Sequence, residues 1–94
     1  MNFDWDENKR AENIRKHGID FLDAALIFEN DTITWIDDRE DYLEERLIAL
    51  GRLELMVLRV TYTLRDDDET VRIISAQRAS KKDEKRYYDE TQFD

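Results

Sequence analysis

Positive side chains are concentrated in one stretch near the C-terminus of an otherwise acidic chain. Residues 72–88, RIISAQRASKKDEKRYY, contain six arginines and lysines and only two acids, whereas the 94-residue chain carries a net charge of −9. Within this stretch Arg78 comes just before Ser80, a residue type that often caps helix N-termini. The free N–H groups and the dipole of a helix N-terminus favour an anion. The combination suits an anion. The alternative is a C-terminal helix that is docked by Tyr87 and Tyr88 and keeps its lysines in water.

Arginines inside predicted strands are a second source of positive charge. Arg59 and Arg72 lie between apolar neighbours, and Arg46 begins a strand. Such arginines often lay their stems along the solvent face of a sheet, which is a purely structural role. If Arg59 and Arg72 instead project from one open face, they form a bidentate site for phosphate. Both alternatives stay open because strand register is not readable from the sequence.

The first predicted helix contains a third basic pattern, KRAENIRKHG. At 100° per residue Lys9, Asn13 and Lys16 fall within about 60° of one another, with His17 at the edge. This face is either a solvated helix surface or part of a functional site. The apolar residues of the helix, Ala11 and Ile14, are expected to face the core.

Composition excludes several classes of chemistry. The chain has no cysteine and one histidine, which rules out disulfides, thiolate catalysis, cysteine-based zinc sites and multi-histidine metal sites. We expect no metal and no cofactor. No apolar run approaches the length of about 20 residues that a membrane helix needs, and the N-terminal residues lack an apolar signal core. The sequence therefore predicts a soluble, cytoplasmic protein with residues 1–94 forming a single domain.

Hydrophobic periodicity predicts the elements that position the basic residues. A short strand, NFDW, runs into a helix that ends near His17, where Gly18 supplies the left-handed residue. Asp4, in a capping box with Glu7, and Asp6 are alternative N-caps for this helix. A second helix, IDFLDAALIF, follows, with an aspartate as its N-cap.

The rest of the chain predicts strands and one more helix. TITWI is a strand, the next two strands form a hairpin around Gly51 and Arg52, and VRIISA is the last strand. Within VRIISA, Ala76 is expected to share a face with Arg72. The last helix has Ser80 as its N-cap, with Asp83 forming a shorter version of the capping box. The long arm of the hairpin has one apolar face, formed by Met56, Leu58, Val60, Tyr62 and Leu64.

The order β-α-α-β-β-β-β-α defines the expected fold class. It is α+β, with two N-terminal helices, an antiparallel β-sheet of about four strands and a C-terminal helix. Gathering the helices on one face of the sheet is the economical way to bury their apolar stripes.

Three ordered pieces of the chain carry a resemblance to a known family. WDENKRAENIRKHGIDFLDAALIF, EERLIALG and VRIISAQRASKKDEKRYY resemble the BrnT-type toxins of bacterial type II toxin–antitoxin pairs. The resemblance implies a RelE-like ribonuclease fold and RNA cleavage that arrests translation. It also implies a cognate antitoxin with a ribbon-helix-helix DNA-binding domain, so that the toxin reaches DNA only through the antitoxin and the complex represses its own operon.

The resemblance also implies site residues. The lysine–asparagine–lysine–histidine helix of the family matches Lys9, Asn13, Lys16 and His17, and further family positions match Glu45, Arg46, Arg72 and Tyr87. Two positions depart from the family pattern. Gln77 stands where a basic residue is usual, which removes a cation from the expected site, and Asp83 stands where the family has glutamate.

These residues suggest how RNA would be cut. Arg46, Arg72 and Arg78 would stabilise the negative charge that gathers on phosphorus, and His17 would transfer a proton. Tyr87 either contacts a base, acts as an acid or packs in the core. The RNA backbone would be followed by the remaining basic residues, Lys9, Lys16, Lys81, Lys82, Lys85 and Arg86.

A non-catalytic role is the alternative. Net charge and Gln77 are also compatible with an interaction module that binds an antitoxin-like regulator and acts as its co-repressor. The acidic segments 37–45 and 66–69 are either solubilising loops or docking sites for a basic antitoxin segment.

Overall fold

The computed structural model describes residues 1–92, which form a mixed α+β structure. The predicted class is therefore confirmed. The elements in chain order are β1 (Asn2–Asp4), α1 (Glu7–His17), α2 (Phe21–Ala24) with a 3₁₀ helix (Ala25–Glu29) directly after it, β2 (Thr32–Ile36), β3 (Leu47–Leu53), β4 (Met56–Arg65), β5 (Thr70–Arg78) and α3 (Lys81–Thr91).

The sheet has five strands rather than about four, in the order β1-β5-β4-β3-β2. Strands β2 to β5 are antiparallel, as predicted. The N-terminal strand β1 adds to the free edge of β5 in the parallel direction, so the sheet is mixed. A parallel pair of strands needs a long connection between them. Here α1 and α2 lie in the connection between β1 and the rest of the sheet.

The β3–β4 hairpin turns later than predicted. Its turn residues are Glu54 and Leu55, and Glu54 has a φ of 56°. Gly51 lies inside β3 instead, where an added Cβ would come within 2.8 Å of the Cβ of Ile27. The glycine is therefore needed for the close approach of the 3₁₀ helix to the sheet, and not for a turn.

The helices begin and end at predicted capping residues, and the structure decides between the two candidates for the N-cap of α1. Asp6, not Asp4, is the N-cap of α1, and its carboxylate accepts from the amides of Asn8 and Lys9. Gly18 ends α1 at a φ of 70°. Ser80 caps α3 by accepting from the amide of Asp83. The carboxylate of Asp83 binds Arg59 instead of completing a capping box.

The helices cover both faces of the sheet, so the expectation that they gather on one face is wrong. The first face is covered by α2 and the 3₁₀ helix and holds the larger core, which includes Phe21, Ile27, Leu58 and Val60. The second face is partly covered by α3, whose Tyr87 packs with the remaining core residues, Leu50 and Val57. Neighbouring residues of β3 and β4 point to opposite faces, and both faces carry apolar side chains that need cover.

A β-bulge near the middle of β5 changes which residues share a face. Thr61 is opposite Ser75 while Tyr62 is opposite Ile73, so Ile74 is the extra residue. Because of this insertion, Ala76 lies in the first-face core with Ile73, and not on the face of Arg72 as predicted. The apolar face predicted for β4 is confirmed by its packing in the same core.

Candidate active site on the second face of the sheet

A row of polar side chains crosses the second face beyond the part that α3 covers. In order from β2 to β1 it consists of Asp37, Arg46, Thr63, Arg72 and Asp4, and we name it the polar row. The amide of Asp37 donates to the carbonyl oxygen of Arg46 at 2.8 Å. Thr63 lies opposite Arg72 in the β4–β5 pair, and Arg72 lies beside Asp4 in the β5–β1 pair.

Arg72 lies in β5, whereas Arg46 directly precedes β3, so β4 runs between the two arginines. The strand spacing of about 4.8 Å therefore places the backbones of Arg46 and Arg72 about 10 Å apart. Thr63 lies between them and donates its hydroxyl to the carbonyl oxygen of Glu45 at 2.7 Å. Two guanidinium groups at this backbone separation could hold one phosphate only if Arg72 left its partner Asp4.

The two arginines differ in their partners. Arg72 forms an ion pair with Asp4 at 2.9 Å, and 29% of its side chain is exposed. The guanidinium of Arg46 lies over the ring of Tyr42, 4.2 Å from its centre. The Nε of Arg46 is buried and has no hydrogen-bond partner among residues 1–92. A buried donor without a partner is costly, which is typical of a group that binds something else.

Arg59 projects from the same face but is engaged with α3. It donates to Asp83 at 2.8 Å, and four-fifths of its side chain is buried. Its guanidinium also lies 5.6 Å from the ring centre of Trp35. The paired site of Arg59 and Arg72 considered from the sequence is therefore replaced by the pair of Arg46 and Arg72. Arg59 fastens α3 to the sheet.

Helix α1 adds basic residues beside the same face. A depression of about 180 Å³ is lined by Ile74 and Ser75 of β5 and by residues of α1, namely Lys9, Glu12, Asn13, Lys16 and His17. Within it Lys16 is paired with Glu12 at 3.4 Å. Ser75 points to the second face because its cross-strand partner is Thr61. Through Ser75 the basic end of α1 adjoins the part of β5 that carries the polar row.

Asn13 places α1 in this position. Its side-chain amide donates to the carbonyl oxygen of Ala76 at 2.8 Å and accepts from the amide of Ala76 at 3.0 Å. It also donates to the carbonyl oxygen of Ile19. Asn13 is 5% exposed, whereas Ile14 is 42% exposed. The expectation that Ile14 faces the core was therefore wrong. The part of β5 that does not pair with β1 has an open edge, and its backbone groups need a polar partner such as Asn13.

Two predicted catalytic residues lie elsewhere. Arg78 is six residues after Arg72, roughly 20 Å along the strand. It is opposite Leu58, a first-face core residue, so it projects from the other face. Tyr87 is 3% exposed, and its hydroxyl donates to the carbonyl oxygen of Asp31 at 2.8 Å. Burial raises the pKa of Tyr87. The predicted convergence is thus not found for these two residues.

The basic residues of α3 divide into two groups. Lys81 and Lys82 are exposed in the first turn. Lys85 forms an ion pair with Asp89, and Arg86 forms one with Glu90 while lying 4.3 Å from the ring centre of Trp35. Gln77 lies opposite Arg59, so the cation that it replaces relative to the family pattern would belong to the α3 region and not to the polar row.

An acidic groove lies at the end of the sheet where β4 turns into β5. It has a volume of about 570 Å³ and is lined partly by charged residues, namely Glu44, Glu45, Arg65, Asp66 and Asp68. Arg65 is paired with Glu44 at 3.0 Å. The groove thus has an excess of negative charge and does not suit RNA.

Sequence reasoning missed Thr63, Ser75, Asp37 and Tyr42. The alternation of β4 had already placed Thr63 opposite the apolar face, which was the available signal. Ser75 reaches the site only because of the bulge, and no pattern predicted that. Asp37 and Tyr42 lie in a polar segment whose sequence has no periodicity.

Two general features limit other kinds of site. Residues 1–92 contain no group of three or more histidine, cysteine, aspartate or glutamate side chains placed to hold a metal ion. Over the same residues, no helix has the length and apolar character needed to cross a membrane.

The fold and this site define a small α+β protein whose mixed sheet carries two arginines, Arg46 and Arg72, in a polar row on its second face. Residues 5–83 match the sequence model described as "Ribonuclease toxin, BrnT, of type II toxin-antitoxin system". The chain therefore belongs to the BrnT family of ribonuclease toxins, and the resemblance seen in the sequence is confirmed. Such a family implies an antitoxin as partner.

A solved structure supports the same assignment. The chain is similar to the Brucella abortus ribonuclease toxin BrnT, known from a crystal structure at 1.1 Å resolution, with 30% sequence identity and a TM-score of 0.63. The alignment covers 86% of this chain and 99% of the Brucella protein. No curated protein matches the chain.

Proposed function

We propose that this chain is the toxin of a bacterial type II toxin–antitoxin pair and a metal-independent endoribonuclease whose cuts arrest translation. One observation carries the proposal: Arg46, which directly precedes β3, and Arg72 of β5 lie on the same face of the sheet on either side of Thr63, in a chain that belongs to a family of ribonuclease toxins. The proposal takes residues 1–94 as one RelE-like, cytoplasmic toxin domain.

The proposed reaction uses the RNA's own nucleophile. The 2′-oxygen attacks the adjacent phosphorus and loses its proton, and a new O2′–P bond forms. The P–O5′ bond breaks, and the departing 5′-oxygen takes up a proton. The products are a 2′,3′-cyclic phosphate and a 5′-hydroxyl, so the proton balance closes without water, metal or oxidant.

The residues of the polar row supply charge stabilisation in this scheme. Arg46 and Arg72 hold the phosphoryl oxygens as negative charge gathers in the transition state, a contribution commonly worth about 10²–10³-fold for one donor. Asp4 must release Arg72 for RNA to bind. This exchange is feasible because 45% of the Asp4 side chain is exposed, and exposed ion pairs are weak.

Helix α1 supplies proton transfer and contacts with the RNA backbone. We assign proton transfer to His17, because imidazole both accepts and donates protons near neutral pH. Such a group contributes about 10²–10⁴-fold. Lys9 and Lys16 border the same depression and would contact neighbouring phosphates. From α3, the basic residues that would extend this track are Lys81, Lys82, Lys85 and Arg86.

Arg78 and Tyr87, which the sequence suggests as catalytic residues, have other roles in this proposal. Arg78, on the opposite face, is assigned no part in charge stabilisation. Tyr87 stabilises the packing of α3 on Leu50 and Val57. Its hydroxyl proton is already donated to a backbone carbonyl, which does not suit a general acid.

The partner is proposed to be an antitoxin that joins a ribbon-helix-helix DNA-binding domain to a toxin-binding segment. The toxin would contact DNA only through it. The acidic groove and the loop of residues 37–45 would receive a basic part of that segment, since opposite charges steer association.

Expression from a tightly controlled promoter tests the proposal. We expect growth arrest, release from arrest when the cognate antitoxin is co-expressed, and messenger RNA cuts that leave 2′,3′-cyclic phosphate ends. The purified toxin should cut RNA equally well with and without EDTA. The matched control is the double variant Arg46→Ala/Arg72→Ala, which should be folded and inactive.

The competing function is an interaction module that binds an antitoxin-like regulator without cutting RNA. The observation that favours it is that Arg72 is already neutralised by Asp4. Normal growth on expression, together with tight binding of the antitoxin and no cleavage by the purified protein, would establish this alternative and reject the ribonuclease.

A further inference from the structure

A chain of contacts runs from a buried carboxylate to one arginine of the polar row. Asp37 is 4% exposed. Its carboxylate accepts from the hydroxyl of Tyr42 at 3.2 Å, and the ring of Tyr42 lies under the guanidinium of Arg46 at 4.2 Å. None of these links involves a residue of the hydrophobic cores.

The carboxylate of Asp37 is itself held firmly. Arg39 donates to both of its oxygens, at 2.7 and 2.9 Å. The hydrogen bonds from Arg39 lower the pKa of Asp37 to about 2. Asp37 is therefore ionised throughout the neutral range, and it accepts from Tyr42 in a hydrogen bond that is long at 3.2 Å.

Arg46 depends on this support because nothing else fixes its guanidinium. Its Nε has no hydrogen-bond partner among residues 1–92. Asp37 fixes the other end of Arg46, since its amide donates to the Arg46 carbonyl oxygen. Asp37 thus fixes the backbone of Arg46 directly and the head group through the ring of Tyr42.

We propose that Tyr42 is a positioning residue that aims the guanidinium of Arg46 at the RNA phosphate, with Asp37 as its anchor. The inference rests on the proposed role of Arg46 in RNA cleavage. The flat ring limits the tilt of the guanidinium by cation–π contact and leaves its N–H donors free along the edge. Misplacement of a charge-stabilising group by about 1 Å costs as much as 10²-fold in rate.

Single-turnover cleavage of a labelled RNA by the purified full chain tests this role. Tyr42→Leu should lower the maximal rate by about 10–100-fold with a smaller change in the half-saturating concentration. Tyr42→Phe keeps the ring but loses the hydrogen bond to Asp37, so its loss should lie between that of the parent and that of Tyr42→Leu, at about three- to tenfold. Leu55→Ala is the control, because Leu55 is exposed in the β3–β4 turn and has no part in the proposed site, and its activity should be unchanged.

The decisive measurement repeats Tyr42→Leu in a chain that carries Arg46→Lys. Lysine keeps the charge without the flat head group, so Tyr42→Leu should then have little further effect, because residues that act through one another are not additive. An equal loss in both backgrounds would overturn the inference and leave the proposed function intact. Full activity of Arg46→Ala would reject Arg46 as a site residue, and the inference with it. Thermal unfolding of each variant separates loss of fold from loss of positioning.

Discussion

The two faces of the sheet have different tasks. The first face is closed by α2 and the 3₁₀ helix over a continuous apolar core. On the second face α3 covers a smaller core around Leu50, Val57 and Tyr87. Beyond α3 the residues become polar, with Arg46 and Arg72 on either side of Thr63. One face stabilises the fold, and the other carries the polar row that we propose as the RNA site.

The difference lies mainly in single positions along the same strands. In β4, Leu58 and Val60 face the first core, while Arg59 and Thr61 face the other way. Because side chains alternate along a strand, one sheet can hold both a core and a site. Mutations at neighbouring positions should consequently affect different properties.

The largest effect is expected from Arg72→Ala compared with Arg78→Ala. Arg72→Ala should lower RNA cleavage by about 100-fold or more, since it removes a cation from the transition state. Arg78→Ala, on the first face at the end of β5, should stay close to the parent activity. Cleavage rates and melting temperatures of both purified variants check this. Loss of activity in Arg78→Ala alone would reverse the assignment of the active face.

For stability the order should be reversed, so that a mutation on the first face has a larger effect than one on the second face. Leu58→Ala removes a fully buried first-face side chain and should lower the free energy of unfolding by about 2–5 kcal/mol. Thr63→Val removes one hydrogen bond to the carbonyl oxygen of Glu45 and should cost about 1 kcal/mol. Urea unfolding gives both values. Equal losses would show that the polar row is as important for stability as the core.

Asn13→Ala should lower the stability of the protein and, as a consequence, the rate of RNA cleavage. The variant leaves the backbone N–H and C=O of Ala76 without their side-chain partner, at a cost of about 1–3 kcal/mol. Because α1 then loses its attachment to β5, cleavage should fall even where the protein remains folded. Lys9→Ala, on the same helix face, is the control and should leave the unfolding free energy nearly unchanged. A reduced stability of Lys9→Ala similar to that of Asn13→Ala would contradict this.

The smallest effect is a pH dependence from the loop of the second face. The pKa of Asp37 is lowered to about 2 in the folded chain, below its usual value of about 3.9. The stabilisation that it provides is therefore complete above about pH 4 and is lost as the pH falls through 2. Urea unfolding between pH 2 and 5 should show a steeper loss for the parent than for Asp37→Asn. If the free energy of unfolding fell equally with pH in the two proteins, Asp37 would make no such contribution.

Local sequence patterns were sufficient for much of the fold. The caps at Gly18 and Ser80 and the apolar side of β4 are short-range features, and the structure has them where they were predicted. The turn of the hairpin was misplaced because Gly51 was interpreted as a turn residue, although its role is to let Ile27 approach. A close approach between distant segments leaves no local signal other than the glycine.

For the site, residue types were more predictable than their meeting place. Arg46 and Arg72 were identified as charge carriers from their positions in strands, and Lys9, Lys16 and His17 from their spacing on a helix. Arg78 was grouped with them because it comes just before Ser80, the predicted N-cap of the last helix. The bulge at Ile74 and the alternation after it separate the two arginines by face.

The sequence alone defined the elements, their caps, the excess of acid and the ordered pieces that the BrnT family shares, since all of these depend on neighbours within one or two turns of the chain. The tertiary structure chose the face on which α3 packs, added β1 to the edge of β5 and brought Asp37, Tyr42 and Arg46 together. These outcomes depend on strand register and on which buried polar groups find partners. Both are set by contacts between residues far apart in the chain, so no local pattern encodes them.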